Sequence, residues 1–285
     1  MGAADVVPGV SGGTMALILG IYEELILAVK SIDRTFLNAV LRLQWGKAWQ
    51  AAPFAFLLTV GSGILTAIFS LARGLSWLLA HHPRMIWSFF FGLILASAFT
   101  VAGRIERRSL GTLLWLGVGV VGAYWLVGLV PVRTPETLVF IFGCGAVAIC
   151  AMILPGISGA FILVLLGKYH FILEAVKQFN LPPLIALSTG AVVGLICFVR
   201  FLNWMLAHHY SLTMASLTGL MLGSLRKIWP WKAPAAADQM RHLTNVWPAH
   251  LDAEVGLACG LALLGVLIVV LIQRGGQAAA RAKSR

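Results

Sequence analysis

Long apolar runs, separated by short polar stretches, set the pattern of this chain. Six read as ordinary membrane-spanning helices: Ala51–Leu79, Met85–Ala102, Leu110–Val130, Leu184–Leu206, Ser211–Ser224 and Val255–Ile272. All but the short Ser211 run approach or exceed the roughly 20 apolar residues that carry a helix across a hydrocarbon core. Two further runs, Val6–Val29 and Thr137–Val176, are interrupted by Pro, Gly and Ser. Pro8-Gly9-Val10-Ser11-Gly12-Gly13-Thr14 in the first returns 147 positions on as Pro155-Gly156-Ile157-Ser158-Gly159-Ala160-Phe161. The register continues without a gap. Leu19-Gly20-Ile21-Tyr22 stands against Leu166-Gly167-Lys168-Tyr169, and Ala28-Val29-Lys30 against Ala175-Val176-Lys177. Pro and Gly inside an apolar segment break a helix and free backbone N–H groups. A matched pair of such breaks points to a transporter's binding site.

A second correspondence, at an offset of 127, pairs Arg73, Leu75, Trp77, Leu79, Ala80, His81 and His82 with Arg200, Leu202, Trp204, Leu206, Ala207, His208 and His209. It continues with Gly92, Leu93, Leu95 and Ser97 against Gly219, Leu220, Leu222 and Ser224. The chain therefore reads as one unit written twice, over 1–130 and 136–273, with a basic tail at 274–285. If each break is the tip of a re-entrant hairpin, each unit adds three full spans, an odd number, and the halves have opposite topology. Val139–Leu154 is 16 residues, about 24 Å of helix, too short for a core of about 30 Å. The expected fold is an all-α polytopic membrane protein. It has two inverted-topology repeats, each with a re-entrant or broken hairpin at Pro-Gly-x-Ser-Gly and about three transmembrane helices.

Composition agrees: 60% hydrophobic, 11% charged and a mean hydropathy of +0.92 exclude the soluble classes. The net charge of +11 lies in short loops and tails, where it sets membrane topology and suits an anionic lipid surface. No stacking motif or basic helix points to nucleic acid. The basic residues divide eleven to eight between the two faces, which favours the face carrying Lys30, Arg104 and Arg274 as cytoplasmic. Cys144, Cys150, Cys197 and Cys259 all lie in apolar segments and read as small apolar residues, neither disulfides nor metal ligands. No cofactor and no metal are expected. The start lacks the basic region of a cleavable signal peptide. Only Met1–Val7 precede the first break, whereas Thr137–Leu154 lead into the second. Either the gene model begins late or the first half-helix is missing.

The breaks carry the candidate chemistry. Pro8 and Pro155 fit the first turn of a new helix. Gly9, Gly12, Gly13, Gly156 and Gly159 allow close backbone approach. Ser11, Thr14 and Ser158 offer hydroxyls. A helix N-terminus so built is an anion site whose usual guest is phosphate; the plainer alternative is a pair of kinks packed by small residues. Arg73 and Arg200, each inside an apolar segment eight residues before a His-His pair, are candidate phosphate clamps, because guanidinium grips phosphate bidentately. Snorkelling to the headgroups is the alternative. Asp5, Glu23, Glu24, His170 and Glu174 are candidates for coupling or charge balance, with His170 at the position matching Glu23. His81-His82 and His208-His209 read as interfacial loop pairs rather than a metal site.

Three stretches bear a family resemblance. Gly2-Ala3-Ala4-Asp5-Val6-Val7-Pro8-Gly9-Val10-Ser11-Gly12-Gly13-Thr14, followed by Leu19-Gly20-Ile21-Tyr22-Glu23, resembles the opening of the PopT family. Leu154-Pro155-Gly156-Ile157-Ser158-Gly159 with Leu166-Gly167-Lys168-Tyr169 resembles its second signature, and Gly219 through Trp231 its late one. The resemblance covers nearly the whole chain. It implies a bacterial inner-membrane transporter of undecaprenyl phosphate or a related polyprenyl phosphate, returning the lipid carrier of wall-polymer synthesis from the outer to the inner leaflet. The implied partners are that lipid and the membrane lipids. Protons or another ion are the candidate coupling partner, and a homodimer is a candidate assembly. Two features depart from the family pattern: no apolar lead-in precedes Gly2, and His170 stands where an acid is more usual, which breaks a symmetric proton relay.

Two other readings stay open. A transporter of a small soluble anion would use the same breaks. The undecaprenyl-pyrophosphate phosphatases also carry a Pro-Gly-x-Ser motif, but there Arg follows the Ser and paired glutamates lie nearby. Here Gly12 and Gly159 follow the serines, no Glu-x-x-x-Glu occurs, and the serines have no obvious base.

Overall fold

A computed structural model describes residues 1–2, 11–32, 36, 38, 42–44, 46, 53–107, 109–132, 134–234, 243–248, 250 and 252–283. The helices in chain order are α1 (Gly12–Leu19), α2 (Tyr22–Lys30), α3 (Phe54–His81), α4 (Pro83–Ala102), α5 (Leu110–Leu126), α6 (Leu138–Ile153), α7 (Gly159–Leu165), α8 (Tyr169–Lys177), α9 (Leu181–His208), α10 (Tyr210–Ser224) and α11 (Ala253–Lys283). Four of them, α3, α4, α9 and α11, are long and apolar enough to cross a membrane, and the bent pairs α1–α2 and α7–α8 raise the number to six. By length and composition this is a multi-pass membrane protein.

The structure departs from an all-helical expectation at one place among the described residues. β1 (Lys232–Pro234) and β2 (Leu243–Asn245) form a short antiparallel hairpin between α10 and α11. Hydropathy gave no sign of it, because three-residue strands bury no face of their own. α11 also continues past Ile272 to Lys283, through a stretch rich in Ala, Gln, Arg and Lys that favours helix.

Local chemistry sets the helix ends. Ser109 and Thr112 form a capping box that opens α5, and Thr137 caps α6 by accepting from the Phe140 amide. α3 and α9 are both 28 residues long and both end in a stacked Trp-His pair. His81 Nδ1 lies 2.9 Å from the Trp77 carbonyl and His208 Nδ1 lies 3.0 Å from that of Trp204. α1 and α2 meet at a bend of 115°, α7 and α8 at 105°. Gly20 and Gly167, at φ 73° and 67°, make these turns in a region that side chains with a Cβ avoid.

Three helix pairs pack backbone to backbone at glycines: α5 on α10 through Gly119, Gly219 and Gly223; α4 on α11 through Gly92 and Gly265; α6 on α9 through Gly145, Gly190 and Gly194. Close approach of this kind holds helices together where lipid offers no hydrophobic drive. Gly92 and Gly219, 127 positions apart, each seat against a different partner, α11 and α5. α4 and α10 lie side by side and run antiparallel. Phe91, the ninth of the 20 residues of α4, meets Trp229 beyond the end of α10 at 5.5 Å. At the other end, the Arg107 amide donates to Ser211 Oγ at 3.3 Å. α10, the weakest span by hydropathy, is the most enclosed, with Thr213, Met214, Leu217, Thr218, Met221 and Ser224 all buried. In α3 none of the membrane-length window is buried, and Gly63, 127 positions before Gly190, meets nothing among the described residues.

Candidate functional site

The two breaks meet. α6 ends at Ile153, Pro155 brings no N–H, and Gly156 takes φ 86°, so the chain turns away and the last carbonyls of α6 are left without helical donors. The first break supplies them. Ser11 Oγ donates to Met152 O (2.9 Å) and Leu154 O (3.2 Å), and Tyr22 OH donates to Ile153 O at 3.3 Å. In return Thr14 Oγ1 accepts from the Gly156 amide at 3.0 Å. Ser11 also caps α1 by accepting from the Gly13 amide at 3.0 Å. Gly13 lies against the Ile153 carbonyl with no room for a Cβ. Ser11, Gly12, Gly13, Thr14, Pro155 and Gly156 are all buried. Each such bond contributes about 1 kcal/mol, and a buried carbonyl left unpaired costs about 1–3.

The second break is open where the first is closed. Ser158 stands at the cap position of α7 without a side-chain cap bond. It is half-buried, and its hydroxyl has no partner among the described residues. Gly159 behind it is buried. Ser224 Oγ and Leu220 O of α10 fill the space a Cβ on Gly156 would need. α1 has eight residues and α7 seven. At that length the helix dipole is a small term, so hydroxyls and nearby cations matter more than the sequence suggests.

Several cations come close that the sequence reading left among loop charges. Lys168, in the turn after α7, is 2% exposed; its Nζ donates to Thr134 O at 2.7 Å and lies 3.8 Å from Glu136 Oε1. Lys227 Nζ lies 4.5 Å from the ring centre of Phe161, the third residue of α7. Lys232 Nζ donates to Lys227 O at 2.6 Å. Burial lowers the Lys227 ammonium from its usual range. Burial, with the Lys227 charge as the lesser cause, brings Lys232 down to about 8. The signal that could have found this pair is its spacing around Trp229-Pro230-Trp231, cations interleaved with aromatics.

The other candidates fall elsewhere. Asp5, Pro8 and Gly9 lie outside the described residues. Arg73 and Arg200 occupy matched, exposed positions on α3 and α9 and have no hydrogen bond or ion pair to a described residue. Glu23 accepts from Tyr210 OH at 3.1 Å. Glu24 and His170 are exposed, and Glu174 accepts from Gln178 at 3.1 Å. Beside the first break an apolar cavity of about 190 Å³ is lined by Gly12, Gly13, Tyr22, Ile64, Ile153 and Val199, among others.

Interrupted helices that bond to one another inside an apolar helical bundle define the class, a multi-pass membrane protein with broken spans. The chain belongs to the family described as VCA0040-like, undecaprenyl phosphate translocase-like, which matches residues 1–246. A protein of Vibrio cholerae serotype O1 named polyprenyl-phosphate transporter is 48% identical over 241 residues, covering 81% of this chain and 75% of that protein. One of the same name from Staphylococcus aureus is 31% identical over 249 residues, covering 81% of this chain and 83% of its own length. No solved structure matches.

Proposed function

We propose that this chain translocates undecaprenyl phosphate, or a related polyprenyl phosphate, across the bacterial cytoplasmic membrane without hydrolysing it. Family membership and the names of both relatives support the substrate class. The observation that carries the mechanism is the interlocked pair of breaks, with one serine hydroxyl engaged and its counterpart free among the described residues.

In this reading the two halves are inverted repeats. The equal lengths of α3 and α9, the matched bends, the antiparallel course of α4 and α10 and the exchanged partners of Gly92 and Gly219 all support it. Alternating access then exchanges the roles of the halves. In one state Ser11 clasps the end of α6 while Ser158 is free to hold phosphate; in the other, Ser158 is clasped and Ser11 is free. Glycines and small hydroxyls suit both arrangements. The apolar cavity beside the first break receives part of the isoprenoid chain. Arg73 and Arg200, matched and exposed, meet lipid headgroups at the membrane surface. Phosphoryl transfer needs a nucleophile activated by a base. Ser11 donates to backbone carbonyls and Ser158 has no described partner, an arrangement that favours binding over attack.

The test is reconstitution of the purified protein in liposomes holding undecaprenyl phosphate in one leaflet. Protein-dependent appearance of the lipid in the other leaflet supports the reading. Release of inorganic phosphate from undecaprenyl pyrophosphate that depends on Ser11 or Ser158 would turn it into a phosphatase.

A further inference from the structure

Just beyond α10 the chain turns at Ser224, whose carbonyl accepts from the Lys227 amide at 2.8 Å, and passes alongside the second break. Ser224 touches Gly156, and the Lys227 ammonium stands against the ring of Phe161, one turn from Ser158. Lys232 bonds back to the Lys227 carbonyl and lies 5.3 Å from the ring centre of Trp87. Two half-buried lysines are thus neighbours, one ammonium on the backbone carbonyl of the other and each beside an aromatic ring. Two cations without a carboxylate partner and partly withdrawn from water repel one another and lose hydration. Proteins normally relieve this with a carboxylate, and the described carboxylates of this face have other partners. Glu254 pairs with Arg84 at 2.6 Å, and Asp252 accepts from the Val255 amide at 3.0 Å at the start of α11. No carboxylate pairs with Lys227 or Lys232 among the described residues.

The surroundings indicate the depth at which this pair works. Trp229 contacts Trp231 at 5.6 Å and Trp247 at 5.1 Å, and Phe91 closes the cluster. Tryptophan clusters of this kind sit at the level of lipid headgroups. A cavity of about 310 Å³ opens at Lys232, bordered by Arg84, Trp231, Trp247, Asp252 and Glu254. The opposite end of α10 is different: there Tyr210 and Arg104 stand with Glu23 and Glu106, so acids balance the cation.

We propose that Lys227 and Lys232 form a phosphate-monoester subsite beside the second break, where a lipid-borne phosphate is captured before it reaches Ser158. Two lysines from neighbouring positions supply charge to match the nearly double negative charge of a phosphate monoester. The tryptophan rim admits a headgroup whose chain stays in the bilayer. The inference rests on the translocation reading for its ligand, but its residues are distinct from those of the interlocked breaks.

Calorimetric titration of the protein in nanodiscs, with undecaprenyl phosphate, undecaprenol and inorganic phosphate, tests it. The Lys227→Met, Lys232→Met double variant is expected to bind undecaprenyl phosphate about tenfold or more weakly, since two charge-assisted contacts are removed. The Lys227→Arg, Lys232→Arg variant keeps the charge and should stay within about threefold of wild type. Undecaprenol should bind wild type and the Met variant alike. Unchanged undecaprenyl phosphate affinity in the Met variant overturns the subsite and leaves the translocation reading standing. Wild type that binds no undecaprenyl phosphate overturns both. Lysine-dependent binding of inorganic phosphate as tight as that of the lipid assigns the pair to a soluble anion and overturns the headgroup assignment.

Discussion

At the first break Ser11 is 1% exposed and its hydroxyl serves three backbone partners. At the second, Ser158, its sequence counterpart, is half-buried with its hydroxyl free among the described residues. The positions around them differ in the same sense. Gly13 is pressed against the Ile153 carbonyl, whereas its counterpart Ala160 is exposed. Ile21 at the first turn is matched by the buried Lys168 at the second. Two nearly identical motifs thus differ in one conformation: the first closes the end of α6, and the second leaves Ser158 open, with Lys227 against Phe161 one turn on. A motif specifies what a segment can bond to, and the neighbouring element decides whether it does.

The sharpest way to break this comparison is to exchange the small residues. Gly13→Ala places a Cβ into backbone rather than into a flexible side chain. It should destabilise the protein by about 2–3 kcal/mol, read as a lowered midpoint of thermal unfolding in detergent. Ala160→Gly should cost about 1 kcal/mol or less. Equal effects at the two positions would mean that the breaks are packed alike in the dominant state.

The serines divide next. Ser11→Ala removes a cap and the donor to two carbonyls, a loss of about 1–2 kcal/mol. Ser158→Ala should leave stability within about 0.5 kcal/mol, since its hydroxyl bonds to no described residue. It should instead weaken undecaprenyl phosphate binding severalfold, measured in the same titration. A stability loss at Ser158 equal to that at Ser11 would favour an even exchange between two clasped states.

Much of this was legible in the sequence, and the rest was hidden for identifiable reasons. The break at Pro155 follows from residue type alone, because it rests on local backbone chemistry, while Pro8 lies outside the described residues. The clasp of Ser11 on Met152 was not legible, since it joins residues 141 positions apart. α10 looked like the poorest span because Ser, Thr and Gly lower its hydropathy, yet those are the residues that let it lie against α4 and α5. Lys168 and Lys227 counted as loop charges. Their burial is decided by the Thr134 carbonyl and the Phe161 ring, which no local pattern announces.

A pH titration separates the lysines from the serines. Lys232 is held down to about 8 by burial first and by Lys227 second. Its ammonium is present below that pH and is lost as pH rises through it, so phosphate affinity should fall between pH 7 and 9, by no more than about tenfold. A bound anion raises the same pKa, so binding near pH 8 should take up protons, seen as a dependence of the calorimetric heat on buffer. Arg84, His250, Asp252 and Glu254 line the same cavity, and the Lys227 charge acts on Lys232 from beside it. The Lys232→Met variant isolates the cause, because its affinity should stay flat over this range while Ser158→Ala keeps the slope of wild type.

Arg73 and Arg200 give the smallest expected effect. Each lies on a 28-residue helix, about 42 Å long at 1.5 Å per residue, against a hydrocarbon core of about 30 Å. Eight residues from the end of its helix, each guanidinium is about 12 Å from that end and within reach of the headgroups by snorkelling. Both are exposed and unpaired among the described residues. Arg73→Ala and Arg200→Ala should therefore lower translocation in liposomes by about threefold or less, with lysine restoring it, because a surface cation needs charge and not a fork. A complete loss in either alanine variant that lysine fails to rescue would show the opposite. The arginine would then leave the lipid face during the cycle and grip the phosphate bidentately at a break, and the countercharge would belong to α3 and α9 instead of the segment after α10.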